Sequence, residues 1–221
     1  MIHEGHRQRL LNRFRKEGID NFEPHLILEM LLFYAKPRVD TNETAHLLIE
    51  RFGSLSAVLD APASELTKVE GVGEGTATFL KLIPQVARKY IDDSVRMRKI
   101  LDSQEAGSFL VPKFIGRENE TVIMVSLDGN RNVLSSEILK EGGRNAADID
   151  LSRLVAAAAG SGASAVILAH NHPNGLSLPS EDDVIMTKKA EKALKTVGIK
   201  LLDHMIIANS SFSSMVESGH I

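Results

Sequence analysis

Apolar residues recur at helical spacing through the first half of the chain and at strand spacing beyond it, and that change of period suggests two domains. In "NFEPHLILEMLLFYAKP" Pro24 suits a first helical turn and Pro37 forbids continuation, which predicts a helix with Leu26, Ile27, Met30, Leu31 and Tyr34 on its apolar face. In "DTNETAHLLIERFG" Asp40 can cap a second helix while Glu43 returns the bond. Leu47, Leu48 and Phe52 form its stripe, and Gly53 ends it. A further helical pair surrounds "ELTKVEGVGEGTATFLKLIPQVARKY". The charged, weakly apolar "RKYIDDSVRMRK" reads as a linker or domain-spanning helix, and the boundary is placed near residue 98.

Beyond that point, "ETVIMVSLDGNRNVLSSEILKE" predicts two strands joined at Asp128-Gly129-Asn130, a hairpin. "DIDLSRLVAAAAGSG" carries Leu151, Leu154, Val155 and Ala158 at helical spacing, and "ASAVILAHNH" is a short strand of the buried type. "PSEDDVIMTKKAEKALKTVG" is a helix closed by Gly198, and "IKLLDHMIIAN" is the last strand. Strands alternating with helices predict one sheet with helices against it, an α/β domain over residues 99–221 after a small all-α domain over residues 1–98.

Composition narrows the chemistry. With no cysteine, disulfides, thiolate ligands and a cysteine nucleophile are excluded, so any metal must be held by nitrogen and oxygen. The amino terminus is charged where a signal peptide needs an apolar run, and the most apolar segment is short and interrupted by Glu29. The chain reads as soluble and cytoplasmic, with no membrane segment. Its net charge is -3, and the helical half holds as many basic as acidic side chains, so neither half is a strongly basic nucleic-acid binder.

The candidate chemistry lies in "AHNHPNGLSLPSEDD". On a strand His170 and His172 point to the same side, about 7 Å apart along the chain at ~3.3 Å per residue, so two imidazoles can converge on one ion. Pro173 and Gly175 end the strand, and Ser180 opens a helix whose first turn carries Asp183. Two histidines and one aspartate meet the ligand count of a hydrolytic zinc site. Each helix-start residue also has a plain structural account, Ser180 as N-cap and Asp183 as an acid near the helix amides. Asp203-His204 reads either as a pair that orients a metal ligand or, the commoner case, as one satisfied locally at a strand end.

The spacing H-x-H-x(7)-S-x(2)-D, filled by His170, His172, Ser180 and Asp183, resembles the JAB/MPN (JAMM) metalloprotease signature. "AHNHPNG", "PSEDD", "LLDHMIIA", "GHRQRLLNRF", "LLFYAKPR" and "GVGEGTA" resemble the RadC-like family across nearly the whole chain. The resemblance implies a cytidine-deaminase-like α/β domain, preceded by a helical domain with a helix-hairpin-helix element. It further implies zinc held by His170, His172 and Asp183, with catalytic help from an upstream glutamate and from Ser180 at the developing oxyanion. Glu137 matches that glutamate position, and Glu141 is the nearby alternative. The implied reaction is hydrolysis of an amide or isopeptide bond in a peptide or protein by metal-activated water. The chain departs from the family pattern at Asn174, where serine is common, and at Ser152, which stands where the family has an arginine that could contact substrate.

A zinc nucleobase deaminase is excluded, because its P-C-x-x-C pair needs cysteine. A second function class is a DNA-associated protein. Gly71 and Gly73 of "EGVGEGTA" would let a hairpin backbone meet phosphates weakly and without base readout, with the metal domain auxiliary or acting on nucleic acid. The alternative for the hairpin is a tight helix-helix connection without a ligand. A third reading is a metal-bound scaffold without turnover, which the intact Glu137, His170, His172, Ser180 and Asp183 oppose.

Overall fold

A computed structural model describes residues 2–94, 99–142, 149–173 and 175–221, so the boundary expected at residue 98 and Asn174 lie outside the described residues. The chain forms two compact units, Met1–Ala87 and Arg88–Ile221.

The first unit is helical: α1 (Ile2–Glu17), α2 (Pro24–Ala35), α3 (Asn42–Phe52), α4 (Leu55–Asp60), α5 (Ala63–Leu66) and the start of α6 (Glu74–Ser94), which carries the chain into the second unit. Pro24 opens α2 as its spacing predicts, but the buried face differs from the expected one. Leu28, Leu32, Met30 and Phe33 are buried, whereas Tyr34 is 71% exposed. Almost every position of α2 is apolar, so periodicity alone could not choose the face. In α3 the N-cap position falls on Thr41, whose side chain makes no cap bond, and Asp40 instead accepts the Asn42 N–H at 3.0 Å. Gly53 ends the helix in the left-handed conformation, at φ 87°.

The second unit holds α7 (Ser103–Leu110), a short 3-10 turn (Val111–Phe114), β1 (Thr121–Leu127), β2 (Val133–Glu141), α8 (Leu151–Gly160), β3 (Ala165–Asn171), α9 (Glu181–Lys195), β4 (Lys200–Ala208) and β5 (Ser211–Ser214). Among the described residues the sheet runs β2-β1-β3-β4-β5, with β3 and β4 parallel and the other pairs antiparallel. The hairpin β1–β2 forms as expected, and Asp128 organises its turn by accepting the N–H groups of Asn130 and Asn132, both at 2.8 Å. β5 was not anticipated. Its polar "SFSS" carries little strand signal, and it pairs with β4 through a tight turn in which Asn209 takes φ 53°.

Both faces of the sheet are covered, which is why β1 and β3 are buried along their whole length. On one face α8 and α9 set Leu154, Ala158, Met186, Ala190 and Leu194 against Val122, Met124, Val166 and Leu168. On the other, α7 and the 3-10 turn set Phe109, Leu110 and Phe114 against Ile123, Val125, Ile167 and Met205. α9 is the crossover between the parallel pair β3 and β4, so its N-terminus returns to the carboxyl end of β3. In open α/β sheets that end is where ligands bind.

Two irregularities decide which side chains share the α9 face. Between β3 and β4 the register shifts, so that Val166 pairs with Leu201 but Ile167 with Asp203, and the extra residue turns His204 to the same face as Leu168 and His170. Between β1 and β2 a shift after Val122 pairs Ile123 with Ile138 and Met124 with Glu137, placing Glu137 on the face of Met124.

Candidate metal centre

His170 is the penultimate residue of β3, fully buried, and His172 follows the strand end, held by its backbone N–H on the Ile207 carbonyl at 2.8 Å. Their alternation on one face brings the two Nε2 atoms to 2.9 Å. Asp183, 3% exposed, completes the cluster, with Oδ1 3.1 Å from His170 Nε2 and Oδ2 3.6 Å from His172 Nε2. One ligand atom from each of these three residues lies within 4.8 Å of the other two, a set that could hold a metal ion.

The helix start both caps and aims. Ser180 Oγ accepts the Asp183 N–H at 3.2 Å, while Asp183 Oδ2 accepts the Ser180 N–H at 2.8 Å and the Ser180 hydroxyl at 2.6 Å. The capping box that begins α9 therefore pins one carboxylate oxygen and leaves Oδ1 toward His170. The Ser180 hydroxyl hydrogen is spent on Asp183, so in this geometry the serine orients a carboxylate. The oxyanion role requires that bond to open.

Electrostatics agree with a cation site. Burial alone would raise the Asp183 carboxyl, but hydrogen bonds from His170, His172 and Ser180 outweigh it and hold the group well below the usual carboxylate range. The His172 ring is raised, first by its hydrogen bond to Asp183. His172 Nδ1 faces the Leu176 carbonyl at 2.9 Å, so Nδ1 carries hydrogen and Nε2 is the atom turned to the cluster. The His172 side chain is 19% exposed, which leaves the centre open on one side.

The glutamates are placed differently from expectation. Glu137 shares the sheet face but stands on the edge strand β2, half exposed, with its carboxylate 3.9 Å from the Arg153 guanidinium of α8. Glu141 is exposed and pairs with Arg117 at 2.9 Å. Glu120 is the one that sequence reasoning missed. Since Val122 pairs with His170, continuing the antiparallel register sets Glu120 opposite His172, and its charge helps raise the His172 ring. Its Oε2 is buried with no hydrogen-bond partner among the described residues. The backbone N–H of Ser152, where the family arginine is missing, caps onto Asp150 at 2.8 Å.

A second finding is the surroundings of His170. Its Nδ1 lies 2.8 Å from His204 Nε2, and His204 Nδ1 lies 2.6 Å from the Thr187 hydroxyl, which bonds the Asp183 carbonyl oxygen at 2.6 Å. His204 therefore serves the centre rather than a strand end, and only its neighbour Asp203 is satisfied locally, by Ser214 at 2.5 Å and Val216 N–H at 3.2 Å. In the helical unit Gly71 of the hairpin takes φ 83°, and a Cβ there would stand 2.5 Å from the Thr44 hydroxyl. Close packing accounts for that glycine without a ligand.

An α/β sheet carrying a His-x-His pair at one strand end and an aspartate on the following helix defines a JAB-type domain with a candidate metal site. Residues 100–220 match the family model described as the RadC-like JAB domain, and the chain belongs to that family. It is 31% identical over 226 residues to a UPF0758 protein of Fusobacterium nucleatum, covering 99% of this chain and 97% of that protein. It is 32% identical over 217 residues to a UPF0758 protein of Ruegeria pomeroyi, covering 98% and 97%. Among the described residues no helix is long and apolar enough to cross a membrane.

Proposed function

We propose that the domain is a zinc-dependent hydrolase of amide or isopeptide bonds, with His170, His172 and Asp183 as the metal ligands. The carrying observation is that these three donors converge where the register sets Glu120 opposite His172, its charge acting on that ring and its buried Oε2 without a partner among the described residues. Two imidazole nitrogens, one carboxylate oxygen and an opening at His172 fit zinc, which keeps a free position in hydrolytic sites. Zinc bound there supplies Lewis acidity, polarising a carbonyl and lowering the pKa of water.

The chain's own groups do the rest. Glu120, opposite His172, takes a proton from the attacking water and returns it to the leaving nitrogen as the C–N bond breaks, giving a carboxylic acid and an amine. These end as carboxylate and ammonium once the acid's proton passes to the amine. Glu137 was expected in that role, but its exposure and its Arg153 neighbour favour Glu120. Ser180 holds Asp183 through the capping box.

The experiment measures zinc content of the purified chain and of His172→Ala and Asp183→Ala, with turnover on a fluorogenic amide and isopeptide panel. One zinc per chain, lost in both variants, together with zinc-dependent cleavage is the expected result. Stoichiometric zinc in all three proteins would place the metal elsewhere, and a zinc-loaded chain inert on every substrate would remove the hydrolase.

A further inference from the structure

Counting hydrogens along the buried path from His170 to Asp183 gives a role to two residues that the hydrolytic reading leaves unused. Its three contacts, at 2.8, 2.6 and 2.6 Å, are each short enough to need a hydrogen between the heavy atoms. The Asp183 carbonyl brings none, so the Thr187 hydroxyl hydrogen lies on it. Thr187 then has nothing left to donate, and His204 Nδ1 must bring its own hydrogen. His204 is 0% exposed, and its ring nitrogens meet an imidazole and a hydroxyl, so a second ring proton would be a buried charge without a counter-ion in contact. His204 Nε2 is therefore a lone pair, and His170 donates Nδ1–H to it. What His170 turns to the cluster is Nε2, 2.9 Å from His172 Nε2 and 3.1 Å from Asp183 Oδ1.

We propose that His204 and Thr187 are positioning residues that hold the Nδ1–H of His170 and the rotation of its ring, so that Nε2 is the atom turned to an arriving cation. The assignment rests on the metal-centre reading above. The path ends on a backbone carbonyl, which cannot pass a proton on, so it holds the ring and does not conduct protons. Because that carbonyl belongs to Asp183, the same path ties the ligand on β3 to the ligand on α9 through β4. Removing partners that orient a ligating histidine costs roughly ten- to hundredfold in metal affinity.

The test is zinc affinity of the full chain by chelator competition, with Thr187→Val, Thr187→Ser and His204→Gln, together with nitrogen NMR of the zinc-free imidazoles. Thr187→Val keeps the shape but removes the hydroxyl, and is expected to weaken zinc by roughly ten- to hundredfold. His204→Gln should weaken it too, while Thr187→Ser binds like the unsubstituted chain. The NMR should show hydrogen on His170 Nδ1 in the unsubstituted and Thr187→Ser chains, and a loss of that hydrogen's population in Thr187→Val. Equal affinities for the valine and serine variants, or a His170 without hydrogen on Nδ1 in the unsubstituted chain, would overturn the assignment. An unsubstituted chain that binds no zinc would instead overturn the metal-centre reading, and the hydrogen on His170 Nδ1 would still decide the positioning role.

Discussion

Two glutamates are candidates for the general base of the proposed hydrolysis, and their surroundings separate them. Glu137 can satisfy its charge with solvent and Arg153, whereas Glu120 keeps a buried oxygen without a partner among the described residues and acts by its charge on the His172 ring. Replacing Glu120 by Gln keeps the ligands and should leave zinc bound while turnover falls by about 10²–10⁴, the usual share of a general base. Glu137→Gln should stay within a few-fold of the parent, and the reverse pattern would return the role to Glu137. The candidate ligands are legible in the sequence because they fall in one short motif that a strand end and a helix start bring together. Glu120 is not, since only cross-strand register sets it opposite His172, fifty-two residues further along the chain. His172 adds a pH dependence. Its raised pKa means that the ring holds its proton to higher pH than an ordinary histidine, and zinc must displace that proton. Apparent zinc affinity should therefore climb with pH, by about tenfold per unit for one proton released, and level off once the ring is neutral. A flat profile in chelator competition across that range would mean that no ligand proton is exchanged.

At the scale of elements, one capping box does two jobs, and a substitution can separate them. Ser180→Ala removes the N-cap of α9, worth about 1 kcal/mol, and also frees the Asp183 oxygen that the serine holds. Unfolding in denaturant should show that loss, and zinc affinity should fall with it. A lower midpoint with unchanged affinity would reduce Ser180 to a cap. Sequence pattern located α9 and its start, since "PSEDD" is both a helix signal and part of the motif. It could not locate the extra residue in β4. Strand alternation is read from an unbroken period of two, and the shift between Val166 and Ile167 changes which face of β4 meets β3. Pattern alone therefore leaves His204 between a locally satisfied residue and one that orients a ligand. The α2 face was missed for the opposite reason, an excess of apolar positions with too little contrast between them.

For the molecule as a whole, zinc should act as part of the fold of the Arg88–Ile221 unit. A ligand bound only by the folded state adds about 2.7 kcal/mol of stability at a free concentration a hundredfold above Kd. The gain here should fall short of that. All three ligands lie within fourteen residues, His170 to Asp183, so the unfolded chain can also gather zinc and share the benefit. What the unfolded chain lacks is β4, which contributes His204 and no ligand. Hydrogen exchange with and without zinc distinguishes the two cases. If the sheet builds the site, amides of β4 gain protection together with those of β3 and α9, and a chelator removes it. Protection confined to residues 170–183 would describe a local clamp, and the relay through His204 would then add nothing to the stability of the sheet.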